Sequence, residues 1–376
     1  MAKSPLLPSA RCALPVLWLS AFLALIWTVP AAAQNITRTY YIAAREIIWD
    51  YAPSWPNNPV TGGKFTGRER QFTDGSRRDR IGHRYKKAVY REYTDASFTT
   101  QKQRPDKWRH LGLLGPVIRA SVGDTIRVVF KNMLPNRVAS IHVHGLLYAK
   151  DAEGVQYNDG SHGPDKDDDT VPPGGTYTYV WQVPPRSGPG PADPSSIMWL
   201  YHSGDNVTAS INAGLVGPVI ITRQFQAESD GSPADVDREF VTLFSVFDEN
   251  ASFLAGKNRK ALAPEAKPSD PAFLRSNRKY TINGYQYGNL PDLTMKVGER
   301  IRWYVASVGS DGEVHTAHWH GNTVTAYGRH TDTVALLPGS SRAVTMEADN
   351  PGTWLLHCLV NGHSDRGEEA LYTVEK

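Results

Sequence analysis

Cysteine is almost absent from this chain of 376 residues, which has only Cys12 and Cys358. Cys12 lies in an N-terminal segment where Lys3 and Arg11 precede a largely apolar run from Ala13 to Val29, followed by a stretch in which Ala31 and Ala33 form a small-x-small pattern. That pattern reads as a signal peptide over residues 1–33, cleaved after Ala33, and so as a secreted or periplasmic protein. Pro15 interrupts the run and small residues follow it at once, which argues against a stable membrane span. Loss of the segment leaves Cys358 alone in the mature chain, so no internal disulfide is possible, although an oxidising compartment normally pairs cysteines. A basic excess is also missing. The formal charge of +3 falls to +1 on cleavage, because the removed segment holds two basic residues and no acidic ones, and nucleic acid is excluded as a partner. Long apolar stretches with helical periodicity are lacking too, which excludes a helical bundle.

What is present is strand and turn. The 32 Gly and 26 Pro punctuate short runs such as TIRVVF, TYTYVW and REFVTLFSVF, so the fold class is expected to be all-β. The chain also repeats itself. ASVGDTIRVVFKN from Ala120 returns as MKVGERIRWYVAS from Met295, IHVHG from Ile141 as AHWHG from Ala317, VPPGGTYTYVW from Val171 as LLPGSSRAVTM from Leu336, and WLYHS from Trp199 as WLLHC from Trp354. The order is the same each time, which implies duplication of one β domain. The expected division is 37–223 for the first copy, a polar linker over 224–237, and 238–376 for the second. Residues 158–169, with their Asp167–Asp169 run, are expected to form a mobile, solvated loop. The Lys-, Ala- and Pro-rich stretch 256–278 is expected to be irregular.

Eight of the 12 histidines fall in matched places: His142 and His144, His202, then His315, His318 and His320, and finally His357 and His363. Alternate residues of a strand share a face, so each HxH pair points one way and its rings can converge. His83, His110, His162 and His330 have no such pattern and read as satisfied structural residues. Cys358 follows His357 directly and precedes His363 by five residues. A free cysteine is most often a buried small hydrophobe, but two His and one Cys form the donor set of a blue-copper site. Structural zinc usually takes several thiolates, and only one exists here. Copper is the expected cofactor.

With these residues in view, the sequence resembles the multicopper oxidases, and in detail one two-domain unit of their ceruloplasmin and hephaestin branch. The resemblance runs from YYIAAREIIWDYA (Tyr40) through HLGLLGPVIRASVGDTI, IHVHGLLYAKDAEG and YTINGYQYGNLP to LLHCLVNGHSDRGEEALYTVEK, nearly all of the mature chain. It implies two tandem cupredoxin-like domains. It also implies a type 1 copper at His315, Cys358 and His363, with Glu368 at the axial position. The type 2 and type 3 coppers would be held by His142, His144, His202, His318, His320 and His357. Electrons would pass from Cys358 to His357, with a metal ion or a phenol as donor and dioxygen as acceptor, and adjacent units would close a homotrimer. Four positions depart from the pattern. Leu359 and Gly204 stand where the family has cluster histidines. Glu368 stands where it has Met or an apolar residue, and Gly362 stands where its ferroxidases carry an acidic residue. The alternatives are a non-enzymatic copper or electron-transfer protein with a decayed cluster, and a structural module without copper.

Overall fold

The computed structural model describes residues 1–2, 35–309 and 313–376, so the expected signal peptide lies outside the described residues. Residues 35–376 form one compact unit built almost entirely of strands. In the first half, a sheet in the order Arg84–Tyr93, Thr37–Asp50, Thr125–Asn132, Thr176–Gln182 faces a second in the order Ile118–Ser121, Val216–Thr222, Ser196–His202, His142–Val143. The second half follows the same plan. Arg238–Asp248 runs parallel to Arg300–Ser307, as Thr37–Asp50 runs parallel to Thr125–Asn132. Thr294–Lys296 runs parallel to Glu369–Glu375, as Ile118–Ser121 runs parallel to Val216–Thr222. The repeated motifs therefore occupy repeated places in the topology, and the chain is a tandem pair of cupredoxin-like β domains.

The strands follow from their side-chain patterns. TYTYVWQ buries Tyr179 and Trp181 and leaves their neighbours more open, the alternation of a sheet with one wet face. Val216–Thr222 is buried throughout because it is covered on both sides. One apolar cluster fills each half, and a third, including Tyr51, Tyr85, Leu113, Val241, Phe247 and Tyr304, draws on both. Within this junction Lys87 is fully buried, and its Nζ donates to Glu249 and to the Asn212 carbonyl.

Two expectations fail. Residues 256–278 are not irregular: Ala255–Leu262 and Pro271–Ser276 are helices. The second is started by the Asp270 side chain, which accepts from Ala272 N at 3.0 Å, and by Pro271 at its first turn. The Asp167–Asp169 run is solvated only at Asp167, since Asp168 and Asp169 are buried. Asp168 accepts from Gly154 N, and Lys166 reaches both Asp159 and Asp169. Of the four unpatterned histidines, His83 pairs with Asp50 and buried His110 accepts from Val241 N, as structural residues do, whereas His162 and His330 are exposed.

Removing one partner of a buried ion pair strands the other charge and costs about 3 kcal/mol or more. Glu249→Gln is therefore expected to lower the unfolding free energy by roughly that amount, read as a fall in urea midpoint without a change in slope.

Candidate metal centres

The strand His315–Trp319 sets out the chemistry by its alternation. His315, Ala317 and Trp319 turn into the core, whereas Thr316 and His318 take the other face. Its antiparallel neighbour Gly352–His357 does the same at its end, so buried Cys358 and its neighbour His357 leave the backbone on opposite sides. His318 and His357 are direct cross-strand partners.

On the core side, His315, Cys358, His363 and Glu368 bring one donor atom each to within 4.8 Å of one another. His315, Cys358 and Glu368 are at most 1 % exposed and His363 is 7 % exposed. Glu368 Oε2 lies 2.9 Å from His315 Nδ1 and 3.1 Å from His363 Nδ1, and Cys358 Sγ lies 3.6 Å from His363 Nδ1. Backbone bonds fix the frame: Cys358 N donates to Glu368 O, Glu368 N to His363 O, and Thr316 N to the Cys358 sulfur at 3.4 Å. Burial alone would depress both imidazoles. Contacts with Cys358 and Glu368 outweigh it and raise His315 to about 10 and His363 to about 9. Burial likewise opposes ionisation of Cys358 and Glu368, yet hydrogen bonds from the two histidines pull both below their ordinary values. A metal cation would take the place of the protons that these four groups share, and Glu368 Oε1, buried and without a partner, is free to face it.

The outward histidines gather as two triads. His142, His144 and His202 form one, with His144 Nε2 3.0 Å from His202 Nε2. The carbonyls of Glu153 and Ser203 face Nδ1 of His142 and His202 and so direct Nε2 of each toward the cluster. His318, His320 and His357 form the other, with His357 Nε2 3.0 Å from both His318 Nδ1 and His320 Nε2. Burial, aided by the neighbouring imidazoles, lowers His144, His202 and His357 to about 4, which leaves free lone pairs at neutral pH. His357 Nδ1 is buried without a partner.

The same device builds each triad. Gly145 and Gly321 have φ of +73°, and a Cβ at either would overlap the ring of Trp199 or Trp354 respectively. The tryptophan of each WLxH motif thus lies on the glycine of its HxHG motif, which explains why the two motifs recur together. His144 N donates to Leu200 O and His320 N to Leu355 O, both at 2.9 Å.

At the departures from the pattern, Leu359 is 51 % exposed, whereas a Cβ at Gly204 would overlap the Gly154 carbonyl oxygen. Ser203, opposite Cys358 in the repeat, is taken up by bonds with Ser140 N and Asp205. The sequence held no contiguous signal for one further feature, a set of arginines around Tyr280, which packs on His363 with ring centroids 5.0 Å apart.

The family profile described as multicopper oxidase matches residues 93–226 and again residues 263–375. Human hephaestin is 39 % identical over 96 % of this chain and 31 % of its own length, and rat ceruloplasmin is 42 % identical over 90 % and 32 %. A human protein named ferroxidase HEPHL1 is 40 % identical over 91 % and 29 %. The chain belongs to the multicopper oxidase family. It spans about a third of the length of these relatives. Among solved structures, a multicopper oxidase and the blue copper oxidase from Nitrosomonas europaea superpose with TM-scores of 0.56 and 0.54. Each is 19 % identical, covering 90 % and 91 % of this chain and 89 % and 86 % of theirs, and they bear on the fold alone. Copper is the family's cofactor, and thiolate, imidazole and carboxylate donors at these spacings fit it. Among the described residues, no helix is long and apolar enough to cross a membrane.

Gly321→Ala forces a side chain into left-handed backbone and into Trp354, at a cost of about 2 kcal/mol. The variant is expected to unfold earlier by calorimetry and to lose metal from the His318, His320 and His357 triad, with the Cys358 centre retained.

Proposed function

We propose that the chain is an exported copper oxidase unit, which takes single electrons from a metal-ion or phenolic donor at the Cys358 centre and delivers them to dioxygen at the histidine triads. One observation carries this reading. The core cluster and a triad lie on opposite sides of one strand pair and are joined through the His357–Cys358 peptide bond. Copper would supply the one-electron chemistry and the site of dioxygen reduction.

The chain's own residues do the rest. His315, Cys358 and His363 would hold the type 1 metal, and burial keeps water away from the sulfur. Glu368 faces both histidines, so we assign it as a fourth ligand. A carboxylate there favours Cu(II) and lowers the reduction potential relative to a thioether. Among the described residues, the two triads are gathered as separate groups, each short of a full cluster. We place the completed cluster between the His142, His144 and His202 triad of one copy and the His318, His320 and His357 triad of the next. A head-to-tail contact of this kind closes as a ring, and a homotrimer is the form proposed.

Copper-loaded protein is expected to bind about four coppers per chain, with a thiolate charge-transfer band and a type 2 resonance signal. Cys358→Ser is expected to abolish the band and oxygen uptake together. About one blue copper per chain, with no type 2 signal, would support the electron-transfer alternative instead.

The two missing ligands are not equivalent. Leu359→His places an imidazole in open space and is expected to hold copper more tightly against a chelator and to raise oxygen consumption. Gly204→His meets the Gly154 backbone and is expected to gain neither. Equal gains from both, measured by chelator competition and oxygen electrode, would show that the first half can be repaired as easily as the second.

A further inference from the structure

The surface beside the Cys358 centre carries the wrong charge for a metal-ion substrate. A cavity of about 330 Å³ opens over Tyr280 and Phe72, and its charged lining residues are Arg68, Arg275, Arg278 and Arg366, with no carboxylate among the lining residues. Its floor is in contact with the centre: the Tyr280 ring packs on His363, and Arg366 lies over the same ring at 4.9 Å and donates to the Tyr280 hydroxyl at 2.6 Å.

The pairing of these cations leaves an excess. Arg278 is held by Glu313, and Arg68 reaches Asp365 at 3.5 Å across an exposed contact that water screens. Arg275 and Arg366 have no acidic partner among the described residues. Two unpaired guanidinium groups at the mouth of a small concave site attract anions and repel a divalent cation over a Debye length. The guanidinium fork also matches carboxylate and enolate oxygens. Gly362, next to His363, adds no negative charge, and the guanidinium of Arg366 is the group nearest to it.

We propose that this arginine-lined cavity is the electron-donor site and that it takes a small organic anion of the phenolate or enolate type rather than a metal cation. The inference rests on the reading of His315, Cys358 and His363 as a copper centre. Each anion would give one electron, through Tyr280 or directly at the edge of His363, to a cupric ion held by His315, Cys358 and His363, and would leave as a neutral radical. Four such anions, one dioxygen and four protons give four radicals and two waters, so charge and electrons balance.

Charge-matched probes separate the possibilities. Copper-loaded protein is mixed anaerobically with ferrous EDTA, a dianion, or with hexaammineruthenium(II), a dication, and loss of the thiolate band is followed by stopped flow. The dianion is expected to react faster and to slow as salt is raised. Arg275→Gln, which removes an exposed side chain, and Arg366→Gln are each expected to slow the dianion about fivefold and to speed the dication. In parallel, redox-inert hexacyanocobaltate(III) is titrated calorimetrically into metal-free and copper-loaded protein. It should bind at one site and weaken about tenfold in either variant. A dication that reacts as fast as the dianion, or rates unmoved by both substitutions, overturns the proposal while leaving the copper centre standing. If neither reagent bleaches a band, the copper reading fails and the electron-donor role falls with it, and hexacyanocobaltate binding then judges only the anion site. Absence of that binding overturns it.

Discussion

Everything around the second half's core turns on one electrostatic constraint, a carboxylate and a thiol placed with two imidazoles where water does not reach. Isolated, each charge would be too costly to bury. Together they are held by the bonds that Glu368 Oε2 accepts from both histidines, and Glu368 Oε1 is left buried without a partner. The sheet supplies the precision. His315 comes from one strand, Cys358 from the end of the next and Glu368 from just before a third, so the ladder that holds the sandwich together also fixes the donors.

Strand alternation then links this centre to the next without any additional element. Because consecutive residues leave a strand on opposite faces, the His357–Cys358 dipeptide presents an imidazole outward and a sulfur inward. His315 and His318 repeat the division on the partner strand. The first half has kept the outward triad and lost the inward site, since Ser203 is bound to Asp205 and Ala139 stands where His315 would be. Duplication followed by loss of one inward site accounts for a chain with one core centre and two half-clusters.

The parts of this arrangement that were legible in the sequence are those written as local spacing. HxHG, WLxH and the Cys358 to His363 interval each survive folding because strand periodicity translates spacing directly into face and register. The parts that were not legible depend on residues far apart in the chain. The arginines around Tyr280 come from positions 68, 275, 278 and 366, and no window of sequence contains their convergence. The helices in 255–276 were masked by a Lys-, Ala- and Pro-rich composition, although Asp270 with Pro271 is a start signal. Asp168 and Asp169 were misread because a run of acids ordinarily marks solvent. Here the Gly154 amide donates to Asp168 and Lys166 pairs with Asp169 inside the loop.

The two absent cluster histidines have different physical histories. At Gly204 the neighbouring backbone of Gly154 has closed into the space that a side chain would need, and Val155 pairs with Gly204 across it. A histidine there cannot return without moving a segment that also carries Glu153, whose carbonyl orients His142. At Leu359 nothing has closed, since the side chain stands open to solvent and the backbone amide remains held by the Thr316 hydroxyl at 2.8 Å. The first half is therefore closed around Gly204, while the second half leaves open space at Leu359. On the proposed reading of Cys358 as a copper ligand, the closed position lies in the half without that ligand, and the open one lies next to it.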